Sequence, residues 1–165
     1  MPPDTILVVG YGNELRGDDA AGRRAADRVA AWGLPGVEVH TLHQLVPELA
    51  EPLAAASRAI FLDAHPLSRG CAVRVRRIHP AGTGCGVAHT GHPQELLALS
   101  RTAFGRSPDA WWITIPAADF TLGAPLSTVA RRGVADALAA LRPLTAPRAP
   151  ATGAAGPARE ELPAA

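Results

Sequence analysis

The sequence predicts an α/β protein whose sheet is largely parallel and is covered by helices on both faces. Three features of the chain lead to this prediction. Short apolar runs without polar alternation recur along the chain and indicate buried strands. Amphipathic helical patterns lie between these runs, and glycine or proline marks several of the boundaries. Strands and helices that alternate in this way are typical of a parallel sheet.

The first half of the chain predicts three strands separated by two helices. Residues 5–10 are apolar and β-branched, so they predict a buried strand. Residues 20–32 place alanine, valine and tryptophan on one face of a helix, and Gly33 ends it. The next elements are a strand at 37–42, a helix after Pro47 that Pro52 shortens or kinks, and a strand at 59–63.

The second half predicts two more strands and two more helices. Arginine alternates imperfectly with apolar residues at 71–78, as in an exposed strand at the edge of a sheet. The predicted sheet has five strands. An edge strand can run parallel or antiparallel to its one neighbour, so this strand can be the antiparallel one. The elements that follow are a glycine-rich loop at 80–91, a helix at 93–103, a strand at 111–115 and a closing helix at 126–141.

Composition limits the class of protein. The 165 residues suit one domain, expected at 1–142, followed by a disordered alanine- and proline-rich tail at 143–165. A net charge of +1 gives no electrostatic reason to bind nucleic acid or an anionic membrane. No apolar run approaches the ~20 residues of a membrane helix, and no signal peptide pattern is present. Two cysteines make no disulfide framework, so a cytoplasmic protein is expected.

The most informative segment is Gly-Tyr-Gly-Asn-Glu-Leu-Arg-Gly-Asp-Asp at residues 10–19. It follows the first strand and precedes the first helix, where Asp18 and Asp19 meet unpaired backbone amides. Leu15 stands where a dinucleotide-binding fingerprint needs glycine, and no Gly-Lys-Ser/Thr follows, which excludes a P-loop. The segment is therefore an acidic loop at the carboxyl end of a strand.

Three chemical groups are expected to meet at this end of the sheet. Asp19 follows the first strand, Asp63 ends the third, and His89 lies in the glycine-rich loop. Two carboxylates and an imidazole suit a divalent transition metal with open positions for water or substrate. Other interpretations stay open at this point: either aspartate of the first loop as a helix cap, Asp63 as a loop cap, and His65 or His92 in place of His89.

Five short motifs follow one another within residues 5–141. They are Gly10 to Asn13 with Asp18, Asp19 and Gly22; His43 to Ala50, which contains Gln-Leu-Val-Pro-Glu-Leu; Ile60 to Ala64; His89 to Leu99; and Trp111 to Pro116 with Gly123 to Ser127. Their order resembles that of one enzyme family, the hydrogenase maturation proteases. These endopeptidases trim the C-terminal extension from the large subunit of [NiFe] hydrogenases.

The resemblance implies a three-layer α/β/α sandwich and a nickel-sensing site of two acids and a histidine. Residue by residue, that site falls on Asp19, Asp63 and His89, and counting back from Pro93 favours His89 over His92. The chain departs from the family's pattern at three places. Residues 65–70 lack the usual Gly-x-Pro-Gly-Thr turn, Gly91-His92 replaces a Leu-Ser or Ser-Ser pair, and Ala20 replaces a common glycine.

The implied function is that of a cytoplasmic endopeptidase that recognises nickel in the hydrogenase large-subunit precursor and removes its C-terminal extension. The nickel is expected to belong to the precursor, with no organic cofactor. The same resemblance suggests that Gly12, Asn13 and Gln44 help to position the substrate. No serine, cysteine or lysine nucleophile is evident, so the attacking water is activated either by a metal or by a carboxylate base. The alternatives are a non-catalytic α/β module that binds a ligand or protein through residues 10–19, and a zinc-dependent metallohydrolase.

Overall fold

A computed structural model of the chain describes residues 4–82 and 91–147, and they form an α/β/α sandwich around a five-stranded sheet. Among these residues, no helix is long and apolar enough to cross a membrane. The strands β1 to β5 span Ile6–Tyr11, Val37–Leu42, Arg58–Pro66, Arg74–Ile78 and Asp109–Ala117, and the helices α1 to α4 span Ala21–Ala30, Ala50–Ala55, Pro93–Phe104 and Thr128–Leu144.

The sheet is mostly parallel, as predicted. Its strand order is β2-β1-β3-β5-β4, and every neighbouring pair is parallel except β4 with β5. The strand predicted at 71–78 is therefore at the edge and antiparallel, and it is shorter than the pattern suggested. Because four parallel strands start at one edge of the sheet, the loops that follow β1 and β3 meet at the opposite edge.

Two hydrophobic cores lie on the two faces of the sheet, because successive strand residues point to opposite faces. On one face, Ile60 and Leu62 of β3 pack with α1 and α4. On the other face, Phe61 packs with side chains from α2 and α3, among them Leu53 and Leu96. By this alternation Asp63 belongs to the α2/α3 face.

Helix α1 lies unusually close to the sheet, and this contact positions the first loop. A Cβ atom on Gly10 would lie 2.4 Å from the carbonyl oxygen of Gly22, and one on Gly22 would lie 2.3 Å from the carbonyl oxygen of Leu62. These distances are far below van der Waals contact, so both positions require glycine. The result is that residues 12–19 sit directly beside the carboxyl half of β3.

Strands β3 and β5 and helix α4 extend further than the sequence suggested. Strands β3 and β5 pair in register over nine residues each, so β3 continues to Pro66 and Asp63 lies within the strand instead of at its end. Helix α4 runs to Leu144, and the side chain of Thr145 is buried. The guanidinium of Arg58 donates hydrogen bonds to the carbonyl oxygens of Leu144 and Ala146, which fixes this end of the chain on the sheet.

Candidate active site

The two adjacent aspartates of the first loop have different environments. Asp18 is fully buried and accepts four hydrogen bonds. Its Oδ1 accepts one from the Ser127 amide at 2.6 Å, and its Oδ2 accepts from the Ser127 hydroxyl at 2.6 Å and the amides of Ala118 and Asp119 at 2.7 and 3.0 Å. Burial by itself raises the pKa of Asp18, but these hydrogen bonds outweigh it and hold the pKa below its usual value.

Asp18 is therefore a structural residue that joins the first loop to the segment between β5 and α4. The interpretation of Asp18 as a cap of its own helix is wrong, because neither the 3-10 turn at Gly17–Ala20 nor α1 has a side-chain cap. Further backbone bonds join the same two segments, from the Asp18 amide to the Asp119 carbonyl and from the Gly123 amide to the Leu15 carbonyl, each at 2.8 Å. This network fixes the loop that carries Asp19.

Asp19 is partly exposed, and the turn before it holds its carboxylate. The Asn13 amide donates to Oδ2 of Asp19 at 2.8 Å. Gly12 has φ of 140°, and a Cβ atom there would lie 1.9 Å from the Asp19 carbonyl oxygen, so only glycine fits. Gly12 and Asn13 thus shape the loop around Asp19, while Gln44 is exposed between β2 and α2. The expected role of these three residues in positioning substrate stays a prediction.

Asp63 is partly buried on β3, and both of its oxygens accept a hydrogen bond. The Tyr11 hydroxyl donates to Oδ2 at 3.0 Å, and the amide of Ala64 donates to Oδ1 at 2.8 Å. Burial is the largest effect on this carboxyl and raises its pKa to about 6, and the charge of Asp19 adds to the increase. The Tyr11 and Ala64 bonds and the charge of His92 act in the opposite direction. Asp19 is therefore near enough for its charge to act on Asp63, and their shared role in one site stays a prediction.

Sequence reasoning missed Tyr11. Its side chain is buried at the end of β1, and burial together with the nearby Asp63 charge raises its pKa, so the hydroxyl stays a neutral donor. Tyr11 follows Gly10, which is in register with Leu62 of β3. A register between the first and third strands would have placed Tyr11 opposite Asp63, but a sequence alone does not give that register.

The three histidines considered as ligands, His89, His65 and His92, have different places in the chain. His89 lies outside the described residues. His65 is buried on β3 and donates its Nε2 proton to the Gly70 carbonyl at 3.1 Å. Burial, and after it the charges of Arg74 and Arg69, lower the pKa of His65. His65 therefore stabilises the turn that leads to Gly70, and we assign it no role as a metal ligand.

His92 lies nearer to the acids. It is exposed immediately before α3, with its ring edge-on to the Trp112 indole at 6.0 Å between centroids. Its charge acts on Asp63, which places it at the border of the site. Within residues 4–82 and 91–147, no three side chains of His, Cys, Asp or Glu are arranged to hold a metal ion. The metal site of Asp19, Asp63 and His89 therefore stays a prediction that depends on the loop outside these ranges.

The two acids differ in their environments and so in their chemistry. A carboxyl whose pKa lies near 6 is a better general base at neutral pH than an ordinary aspartate, because it holds an abstracted proton more firmly. Asp19 lies partly open to solvent and has only its Oδ2 engaged by the Asn13 amide among the hydrogen bonds described. One acid is thus suited to accept a proton and the other to contact a positively charged group.

No protein-family model matches the chain, and no curated protein matches it by sequence. Solved structures do match. The [NiFe] hydrogenase maturation protease HybD from Thermococcus kodakarensis is 22% identical with a TM-score of 0.64, over 86% of this chain and 99% of that one. The maturation protease HycI from Thermococcus kodakarensis KOD1 is 24% identical with a TM-score of 0.63, over 86% and 92%.

The hydrogenase maturating endopeptidase HybD from E. coli is 21% identical with a TM-score of 0.64, over 85% of this chain and 93% of that one. Nearly the whole length of each of these proteins is matched, so the likeness extends over the complete domain. The expectation drawn from the five sequence motifs is confirmed at the level of the fold. This chain has the fold of the [NiFe] hydrogenase maturation proteases.

Proposed function

We propose that this chain is a cytoplasmic endopeptidase that removes the C-terminal extension from a [NiFe] hydrogenase large-subunit precursor. One observation supports the proposal: in a chain with the maturation-protease fold, the charge of Asp19 acts on the partly buried carboxyl of Asp63. The five motifs of the resemblance include both acids. An acidic loop at this position also argues against a phosphate-binding module, because like charges repel.

Nickel inserted in the precursor is the recognition element in this proposal. Asp19, Asp63 and His89 supply two carboxylates and an imidazole, a set that suits a divalent transition metal. Such an open set binds free metal weakly, so the metal that matters is the one that the precursor carries. Cleavage would then wait until the precursor has been loaded with nickel.

Hydrolysis is assigned to a carboxylate base. An oxygen of Asp63 that is not bound to nickel takes a proton from a water molecule, and the water oxygen attacks the carbonyl carbon of the scissile peptide bond. The protonated Asp63 carboxyl then gives this proton to the amide nitrogen of the departing extension as the C–N bond breaks. Tyr11 and the Ala64 amide hold the Asp63 carboxylate in one orientation throughout, which lowers the entropic part of the barrier.

Purified precursor tests the proposal directly. Nickel-loaded and nickel-free precursor are incubated with the full chain, and the large subunit is followed by mass spectrometry. We expect the extension to be lost from the loaded form alone, and Asp63→Asn to leave it intact. Binding of precursor without cleavage would favour the non-catalytic module, and cleavage that requires zinc in the purified chain would favour a metallohydrolase.

A further inference from the structure

The cross-strand register links the acid site to the arginine-rich edge strand. Asp63 of β3 is in register with Thr114 of β5, and Thr114 is in register with Arg74 of β4. Residues directly opposite each other share a face of the sheet, so Arg74 is on the same face as Asp63. Two strand spacings separate their Cα atoms, which is ~10 Å.

A second set of residues in register lies two positions earlier along β3 than the set that contains Asp63. Trp112 of β5 is in register with Phe61 on one side and Arg76 on the other. The guanidinium of Arg76 lies 5.0 Å from the ring centroid of Trp112, the same indole that forms a T-shaped pair with the His92 ring. Arg76 is therefore held in place by a cation–π contact beside the acid site.

Neither of these arginines has a carboxylate within ion-pair distance among the described residues. Both are exposed. Arg77 on the same strand is different, because it is in register with Trp111 and so belongs to the opposite face. Its guanidinium forms an ion pair with Asp109 at 2.6 Å. The two arginines on the Asp63 face thus present uncompensated positive charge, and the arginine on the other face does not.

We propose that Arg74 and Arg76 bind acidic side chains in the C-terminal extension of the precursor. The inference rests on the proposed function and adds a preference for an anionic extension. In the proposed function the cleaved bond lies at the acids, so the extension continues from the acids and can reach β4. An extended peptide rises ~3.3 Å per residue, so an acidic residue about three positions beyond the cleaved bond reaches Arg74.

The charges of the acids and of the arginines would also orient the bound extension. The carboxylates of Asp19 and Asp63 repel an anionic segment, whereas the guanidinium groups of β4, two strands away from β3, attract it. An acidic extension is thereby held with its charged part on β4 and its cleaved bond at the acids. Arginines on an edge strand also prevent pairing with other sheets. That role does not depend on which face an arginine occupies, so Arg77 separates the two explanations.

A binding experiment without cleavage tests whether Arg74 and Arg76 bind acidic side chains. The probe is a nine-residue peptide that alternates alanine and glutamate, amidated at its C-terminus and labelled with an uncharged fluorophore. A matched peptide carries glutamine in place of glutamate. Anisotropy at about 50 mM salt should show the acidic peptide binding to the full chain roughly tenfold more tightly, and salt should weaken the binding. Arg74→Gln and Arg76→Gln should each weaken it about threefold or more, and Arg77→Gln should leave it unchanged.

Equal binding of the two peptides, no binding of either, or an equal loss in Arg77→Gln would overturn the proposal. Cleavage of nickel-loaded precursor then separates this inference from the proposed function. If wild-type chain cleaves the precursor, Arg74→Gln and Arg76→Gln should raise KM with little change in kcat. If wild-type chain does not cleave it, the peptidase assignment fails, and the peptide measurements still decide whether β4 binds acidic peptides.

Discussion

The hydroxyl of Tyr11 donates a hydrogen bond to Oδ2 of Asp63 at 3.0 Å, across the parallel pair formed by β1 and β3. With the Ala64 amide on Oδ1, this bond leaves the carboxylate no freedom to rotate without losing a partner. The same carboxyl carries a raised pKa, so orientation and basicity are set at one residue by neighbours far apart in sequence. Tyr11 is accordingly a positioning residue for the proposed base.

Replacing Tyr11 by phenylalanine tests this role. The ring that packs in the α2/α3 core is retained and only the hydroxyl is lost, so unfolding free energy should change by about 1–2 kcal/mol. Precursor cleavage should fall roughly tenfold, mainly in kcat, because a partner that orients an active group has been removed. Chemical denaturation and single-substrate kinetics measure the two effects. Unchanged kcat in a stably folded variant would show that the Asp63 orientation does not depend on Tyr11.

Asp63→Asn should abolish cleavage and also change how stability depends on pH. The folded pKa of Asp63 is about 6, above the ordinary 3.8, so the folded state favours the protonated carboxyl. The stability from this preference is fully present below pH ~4 and is lost as pH rises through ~6. Asparagine carries no such charge, so the variant should gain about 1–2 kcal/mol relative to wild type between pH 4 and pH 7.5, after allowance for partial exposure.

Melting temperatures of both proteins at several pH values check this expectation. A constant difference between wild type and Asp63→Asn across the range would contradict the raised pKa.

Asp19→Asn should also abolish cleavage, and its removal of a nearby negative charge should lower the pKa of Asp63 toward its ordinary value. Retained cleavage in Asp19→Asn would remove Asp19 from the proposed site.

Most of the fold was predictable because apolar runs and helix-stop residues are local signals. The strand at Val37–Leu42 has the predicted bounds, and the edge position of β4 followed from its arginines. The length of β3 was not predictable in the same way. Its last three residues are Ala64 to Pro66, which are in the strand because they pair with the end of β5, about fifty residues later in the chain.

An effect of the Asp19 charge on Asp63 was predictable from topology, since the carboxyl ends of parallel strands share an edge. The function of Asp18 was not, because its partners are a hundred or more residues away: Ser127 is separated from it by 109 positions. An aspartate before a helix is a common local signal for a cap, and here a distant loop competes for it. Sequence patterns near a residue do not report such partners.

Asp18→Asn should destabilise the fold although asparagine is a good helix cap. An amide has one oxygen in place of two, so its NH2 group would face the Ser127 or Ala118 donors in a fully buried position. The expected loss of unfolding free energy is about 2–3 kcal/mol. Ser127→Ala is the comparison variant, because it removes the hydroxyl that donates to Asp18 and accepts from the Ala130 amide at the start of α4, and it should cost about 1–2 kcal/mol. Denaturant unfolding measures both, and an Asp18→Asn loss no larger than that of Ser127→Ala would contradict the four-bond network.

The remaining prediction separates His89 from His92. The resemblance assigns the nitrogen ligand to His89, whereas the structure places His92 at the border of the site, edge-on to Trp112. His89→Ala should remove cleavage, because it deletes the only imidazole assigned to nickel. His92→Ala should retain most activity, since an exposed ring before α3 adds only a modest favourable charge near Asp63.

Cleavage of nickel-loaded precursor by each variant between about pH 5.5 and pH 8 measures the difference. An imidazole must be neutral to bind a metal, so cleavage by wild type should weaken as pH falls through the unperturbed histidine pKa of ~6.5. Full activity in His89→Ala with loss in His92→Ala would transfer the ligand to His92. Full activity in both would leave nickel recognition without an imidazole, and the two carboxylates held by Tyr11 and Asn13 would then have to account for cleavage on their own.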